Sequence, residues 1–155
     1  MHIRQFQPGE EPQLWELFYH TIHLVNIQDY SERQVNAWAP RKIELTDWIQ
    51  KTQKRSPFVC MLKNKIVGYS DLQENGYIDH FYCHYEYQGK GVGRALMAHI
   101  NKLAKQQKIT KLTADVSLTA KAFFEAMGFE VVRKQQVLIR GQLLANYKMQ
   151  KILRG

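Results

Sequence analysis

The sequence has few of the residues that mark secreted, metal-binding or membrane-spanning proteins. Only two of its 155 residues are cysteine, and no apolar run approaches the roughly 18 residues that a membrane helix requires. Cys60 and Cys83 lie far apart in apolar segments and do not form the close pair typical of a metal or redox site. The N-terminus lacks the basic and then apolar order of a signal peptide. We therefore expect a cytoplasmic protein that binds neither metal nor membrane.

The chain is basic, with a net charge of +8 at neutral pH. A field of this sign favours polyanionic ligands, which include nucleic acid and phosphorylated small molecules. The lysines and arginines are spread along the chain and do not alternate with exposed aromatic residues, which argues against nucleic acid as the main ligand. Length and composition are those of one globular domain, so we treat residues 1–155 as a single unit.

Hydrophobic periodicity predicts a mixed α/β domain with about seven strands and about four helices on both faces of the sheet. Ser31 is the predicted N-cap of a short helix that Pro40 ends. The remaining helices are predicted at residues 13–26, 44–53, 92–108 and 119–127. Strands are predicted at the N-terminus and at residues 57–62, 66–72, 77–84, 111–116, 129–139 and 143–152. Only the strands 77–84 and 111–116, joined by a helix, are expected to be parallel, with a right-handed crossover.

Three alternating glycines follow the strand at residues 77–84 and precede a helix. Gly89, Gly91 and Gly93 leave backbone N–H groups free to point at one anion, because no Cβ holds phosphate oxygens away. Lys90 and Arg94 can neutralise charge at the rim. The spacing is neither that of a dinucleotide-binding loop nor that of a P-loop. The loop therefore predicts a cradle for a pyrophosphate of another kind.

The segment Gln88-Gly89-Lys90-Gly91-Val92-Gly93, placed after an apolar strand, resembles the central motif Q/R-x-x-G-x-G/A of the GNAT superfamily of N-acetyltransferases. Residues 117–129 are similar to the second block of that family, A-x-x-F-Y-x-x-x-G-F. Segments at residues 29–40 and 140–147 are similar to its small bacterial YafP-like members. The likeness thus covers almost the whole chain.

The resemblance implies an enzyme that transfers the acetyl group of acetyl-coenzyme A directly to an amine, on a small molecule or a protein, without a metal. It also implies that the strand at residues 77–84 splays from the strand at 111–116, and that the pantetheine arm lies between them. The residues expected to bind the coenzyme are Phe81, Tyr82, Cys83, Gln88, Gly89, Lys90, Gly91, Val92, Gly93, Arg94, Ser117 and Lys121.

The attacking amine must be neutral, so a general base is expected. Asp79 is the favoured base, with His80 and Glu74 behind it. Asp79 and His80 are neighbours on one strand and should point to opposite faces. Many relatives carry a tyrosine as general acid at the second position of the F-Y pair, where this chain has Phe124. Tyr147 is a candidate for that role, and Tyr30 or solvent are alternatives.

Tyr30 and Trp38 are the candidate contacts to the acceptor. The acceptor itself stays open, because its pocket is built from loops and helices that vary on a shared fold. The missing phenol at position 124 keeps a second function open, that of a non-catalytic acyl-coenzyme A sensor or interaction module. A homodimer is compatible with the sequence.

Overall fold

The computed structural model describes residues 1–154. Its strands are β1 (His2–Gln5), β2 (Phe58–Leu62), β3 (Lys65–Ser70), β4 (Tyr77–Ile78), β5 (Phe81–Cys83), β6 (Lys111–Ser117), β7 (Glu130–Ile139) and β8 (Gln142–Ile152). Its helices are α1 (Glu11–Leu24), α2 (Glu32–Trp38), α3 (Leu45–Arg55), α4 (Val92–Gln106) and α5 (Lys121–Ala126). Two short 3-10 helices lie at Asn26–Gln28 and Tyr85–Tyr87. No helix within these residues is long and apolar enough to cross a bilayer.

Local signals in the sequence account for where several of these elements begin and end. Ser31 accepts a hydrogen bond from the backbone N–H of Gln34, and the Gln34 side chain accepts one from the backbone N–H of Ser31. This reciprocal pair satisfies two amides that the first turn of α2 leaves free. Gly128 follows α5 with φ of +95°, the left-handed conformation in which helices commonly end.

The strands form two sheets of four, ordered β1-β2-β3-β5 and β4-β6-β8-β7. The β4–β6 pair is parallel and the other pairs in these sheets are antiparallel, as the sequence predicts. The mixed α/β fold is confirmed, but it differs from the prediction in one respect. The single strand predicted at residues 77–84 is two short strands, and each belongs to a different sheet.

Asp71 explains this division. Its fully buried carboxylate accepts hydrogen bonds from the backbone N–H groups of Asp79 at 3.2 Å and His80 at 2.6 Å. The side-chain amide of Gln73 donates a third bond at 2.6 Å. Because a side chain takes the two amides that a neighbouring strand would otherwise bind, the ladder is interrupted at residues 79 and 80. The chain therefore leaves β6 after Ile78 and pairs with β3 from Phe81 onward.

Helices cover both faces and create two cores. On one face, α4 and α5 bury Leu96, Ile100 and Phe124 against strands of both sheets. On the other, α1, α2 and α3 enclose an aromatic cluster that includes Phe18 and Trp48. The interrupted segment at residues 79–83 contributes side chains to both.

Burial raises the pKa of Asp71 to about 6, and the hydrogen bonds from Gln73, His80 and Asp79 offset part of that rise. The unfolded carboxyl titrates near 4, so between about pH 4 and pH 6 the folded protein binds more protons than the unfolded chain. The free energy of unfolding of the wild type, relative to Asp71→Asn, should therefore decrease by roughly 2–3 kcal/mol as pH rises through this interval. Urea unfolding across this pH range measures the difference, and a constant difference would contradict the prediction.

Candidate active site

The divergence of β5 from β6 opens a cleft of about 330 Å³. Residues of β5 form one wall, and the C-terminal half of β6 with the start of α5 forms the other. Residues of α1 and α2 border one side, and the glycine loop with the first turn of α4 lies at one end. The two segments that the sequence singled out, at residues 88–94 and 117–129, thus meet around one cavity.

The backbone of β5 presents a free edge to this cleft. The N–H of His84 donates to the carbonyl of Val67 at 2.8 Å, and Tyr82 is paired with β3 in the same register. Because backbone groups alternate in direction along a strand, those of Phe81 and Cys83 point away from β3 and toward the cleft. A strand edge of this kind can hydrogen-bond an extended ligand as if it were a further strand.

The carbonyl of Cys83 already has two protein partners. The Thr21 hydroxyl donates to it at 3.0 Å, and the Gln88 side chain donates at 2.8 Å. Gln88 therefore anchors the glycine loop to the end of β5, and Thr21 anchors α1 there. Burial raises the pKa of the Cys83 thiol to about 12, and Cys83 lines the cleft.

The glycines of the loop serve two different purposes. Gly91 is the N-cap of α4 with φ of +87°, and a Cβ there would point into open space. The first amides of α4, beginning at Val92, are free of helical partners and lie at the end of the cleft, the arrangement that binds phosphate. A Cβ on Gly93, by contrast, would lie 2.9 Å from the ring carbon Cζ of Phe123. Gly93 is therefore required for packing of α4 against α5.

Of the three cationic side chains expected to contact the coenzyme, only that of Arg94 lines the cleft. Arg94 lines the cleft, and the Lys90 ammonium lies 5.4 Å from the ring centroid of Tyr87 at its rim. Lys121 lies outside the lining and is 3.7 Å from the carboxylate of Glu125.

Ser117 lines the cleft near the start of α5. Its hydroxyl accepts hydrogen bonds from the Asn26 side chain at 3.3 Å and from the backbone N–H of Ala120 at 3.1 Å. These contacts fix the bend between β6 and α5, and they bring Asn26 to the wall of the cleft.

Of the two candidate bases, only Asp79 lines the cleft. Its carboxylate is 41% exposed and accepts a hydrogen bond from Nε of Arg55 at 2.8 Å. The ring of His80 points away, stacks on Phe18 at 5.4 Å and places Nδ1 at 2.9 Å from the hydroxyl of Tyr69. Burial lowers the pKa of His80 to about 3, so the ring is neutral at physiological pH.

The tyrosines proposed from sequence lie in packed positions. The ring centroid of Tyr147 is 5.1 Å from the Lys121 ammonium and 5.8 Å from that of Lys134, outside the cleft lining. Tyr30 is 7% exposed, and burial raises its pKa. The ring of Trp38 packs edge-on against Tyr30 and lines the cleft.

Two cleft side chains have roles that the sequence did not predict: that of Tyr82, which was expected to bind the coenzyme, and that of Asp115, which was not a candidate. Burial raises the pKa of the Tyr82 phenol, which packs edge-on against Phe18 and stays protonated. The carboxylate of Asp115 accepts hydrogen bonds from the Tyr77 hydroxyl at 3.1 Å and the Gln135 amide at 2.8 Å. Period-two alternation along β6 could have identified Asp115, because it places this residue on the face opposite the buried positions.

No cluster of three or more histidine, cysteine, aspartate or glutamate side chains able to hold a metal occurs in the described part of the chain. The polar groups that line the cleft are backbone amides, hydroxyls, the side-chain amides of Asn26 and Gln88, carboxylates and the guanidinium of Arg94.

Comparison with known proteins identifies the fold and the family. Residues 26–151 match the family model described as an acetyltransferase (GNAT) domain. The chain is 35% identical over 149 residues to the uncharacterized N-acetyltransferase YafP of Escherichia coli strain K12, covering 96% of this chain and 94% of that protein.

Two solved structures have the same fold. A GCN5-related N-acetyltransferase from Rhodopseudomonas palustris superposes with a TM-score of 0.93 at 30% identity, covering 98% of this chain and 95% of that one. The PaiA N-acetyltransferase from Thermoplasma acidophilum, solved with coenzyme A, has a TM-score of 0.75 at 17% identity and covers 98% of each chain.

Removal of the Tyr30 hydroxyl should affect stability. This hydroxyl donates to the carbonyl of Ala145 at 2.6 Å and accepts from the N–H of Leu118 at 2.9 Å. Tyr30→Phe leaves both backbone groups without that partner and should lower the free energy of unfolding by about 1–3 kcal/mol. Tyr85→Phe, at an exposed position, is the matched control and should change it by less than about 0.5 kcal/mol. Equal effects of the two substitutions in urea unfolding would contradict the structural role of Tyr30.

Proposed function

This chain belongs to the GNAT family of acetyltransferases, and from that membership we propose that it transfers the acetyl group of acetyl-coenzyme A directly to an amine. The free edge of β5 facing the cleft is the observation that carries the proposal. The pantetheine arm contains amide groups and is long and narrow, which suits hydrogen bonding, in the manner of an added strand, to the backbone of Phe81 and to the N–H of Cys83, whose carbonyl is already bonded. The relative from Thermoplasma acidophilum, which shares the fold, was solved with coenzyme A.

The glycine loop is the proposed site of the pyrophosphate. The amides at the start of α4 point to the end of the cleft, and the space beside Gly91 is open to an oxygen atom. Arg94 and Lys90 lie beside this position and offset the negative charge. Ser117, which lines the opposite wall, is the proposed contact to the coenzyme there. Lys121 could reach it only by leaving Glu125.

The thioester then lies beside β5. The backbone N–H groups of Asp79 and His80 are taken by Asp71, but those of Phe81 and Cys83, next to the thioester, point away from β3. Such groups can stabilise the negative charge that develops on the carbonyl oxygen when the amine attacks. The carbon–nitrogen bond forms, the carbon–sulfur bond breaks, and coenzyme A leaves as the thiolate. The amine loses one proton and the thiolate gains one, so no covalent enzyme intermediate is needed.

Asp79 is the proposed acceptor of the amine proton, because it lines the cleft and His80 does not. Arg55, which does not line the cleft, holds the carboxylate in place. The protonated phenol of Tyr82 is better placed than Tyr147 to return a proton to the thiolate, since Tyr82 lines the cleft. Phe124, at the position where many relatives carry tyrosine, is buried against Phe81 and Phe129 and offers no proton.

Titration calorimetry with acetyl-coenzyme A, followed by a thiol-release assay over a panel of amines, tests the proposal. Gly91→Ala should raise the Kd for acetyl-coenzyme A at least about tenfold, because the new Cβ occupies the phosphate space and the φ of +87° is strained for alanine. Gly141→Ala, at φ of +83° with equally open surroundings in the β7–β8 turn, carries the same strain away from the loop. The Kd of Gly141→Ala for acetyl-coenzyme A should equal that of the wild type.

The two measurements separate the candidate functions. Binding with thiol release supports the enzyme, whereas binding without release from any amine supports an acyl-coenzyme A sensor. Equal Kd values for both glycine variants would contradict the assignment of the loop.

Asp79→Asn should lower kcat on the order of 10²-fold while changing the Kd for acetyl-coenzyme A little, if Asp79 takes the proton. Asp47→Asn is the matched control, because Asp47 pairs with Lys51 on the exposed surface of α3. Initial rates of thiol release at saturating coenzyme measure both. A normal kcat in Asp79→Asn across pH would remove Asp79 from the mechanism.

A further inference from the structure

The face of β6, β8 and β7 opposite α5 carries a second cavity, of about 340 Å³. Ala114 and Asp115 line both this cavity and the cleft described above, so the two adjoin each other at β6. An acceptor that approaches the cleft from this side would lie across the face of the sheet. The side chains on this face therefore bear on what the acceptor is.

Strand register places three charged residues of this cavity in one row. Asp115 on β6 is directly opposite Lys148 on β8, and Lys148 is directly opposite Arg133 on β7. Directly opposed residues share a face of a sheet, and neighbouring strands are about 4.8 Å apart. The row thus leads from the mouth of the cleft to a point roughly 10 Å away.

The two cations of this row have no acidic partner among residues 1–154. Neither Arg133 nor Lys148 has a carboxylate oxygen within 4.0 Å. Because like charges directly opposed on one face destabilise a sheet, this pair carries a cost in stability that no acidic side chain offsets. The carboxylate of Asp115 bonds to the neutral amide of Gln135 instead. Likewise, the carboxylate of Glu130, on the same face, accepts a hydrogen bond from the amide of Gln150.

The cleft and the adjoining second cavity are together called the groove below. The end of the groove that lies in the cleft is acidic. Asp79, between β4 and β5, and Asp115, on β6, both line the cleft. A positively charged amine is attracted to that end before it loses its proton, and an anion is attracted to the end at Arg133 and Lys148. The groove is therefore charged in opposite senses at its two ends.

On the basis of the proposed acetyl transfer, we infer that the acceptor is a small amine that carries a carboxylate or phosphonate roughly 5–10 Å from the nitrogen, bound by Arg133 and Lys148. The guanidinium of Arg133 can bind two oxygens of either anion at once. Lys148 lies one strand nearer to the reacting end and contacts the same group. The spacing excludes a plain α-amino acid acetylated at its α-nitrogen, whose two charges are closer together.

Calorimetric titration of 5-aminopentanoate, 4-aminobutylphosphonate and pentylamine tests this inference. Each is titrated into the protein with and without saturating coenzyme A. Either anionic amine should bind the wild type at least about tenfold more tightly than pentylamine. Arg133→Gln and Lys148→Gln should remove this preference and leave the affinities for pentylamine and coenzyme A unchanged. Lys151→Gln removes the same charge from β8 on the opposite face and should retain the preference.

The result also distinguishes the two anions, because a preference for only one of them identifies which the site recognises. Equal affinity of the wild type for all three amines would overturn the inference, as would a preference that survives both substitutions. Failure of coenzyme A to bind would instead overturn the proposed function. The titration without coenzyme would still decide whether the groove selects an anion.

Discussion

The carboxylate of Asp71 takes the backbone amides of Asp79 and His80, and the cleft depends on that interaction. With these amides occupied, residues 77–83 cannot remain a single strand between two neighbours. The first part stays beside β6 and the second stays beside β3, so the sheet divides without any insertion in the chain. The free edge of β5 is a direct product of this division. A buried carboxylate is costly unless its oxygens are bonded, and the three donors around Asp71 meet that requirement.

Adjacent side chains of the same short segment, residues 79–82, also lie in different surroundings. Asp79 lines the cleft while His80 lies among the aromatic residues under α1 and α3. Phe81 packs against Phe123 and Phe124, whereas Tyr82 packs against Phe18. A few residues of backbone therefore connect the proposed coenzyme side, where α5 lies, to the side that α1 and α2 cover. Helices on both faces are needed to keep these side chains in place.

Much of this arrangement could be predicted from local sequence. Helix and strand periodicity located the elements to within about two residues, and the glycine spacing located the loop at the end of the cleft. The interruption at residues 79 and 80 could not be predicted, because its cause is a contact with a carboxylate eight residues earlier. Tyr30 is a candidate contact to the acceptor by sequence, yet its hydroxyl bonds to backbone 115 residues away. Contacts of that range leave no periodic signal. The row of Arg133, Lys148 and Asp115 likewise requires the register of three strands.

The position of Cys83 has a consequence for chemical selectivity. A thiolate beside an acetyl thioester would capture the acetyl group by exchange, and the protein would then acylate itself instead of its acceptor. Burial keeps the pKa of this sulfur about 12, so the thiol stays protonated and weakly nucleophilic at neutral pH. In the proposed complex, burial of Cys83 thus suppresses this side reaction, and a cysteine can be tolerated next to a reactive thioester.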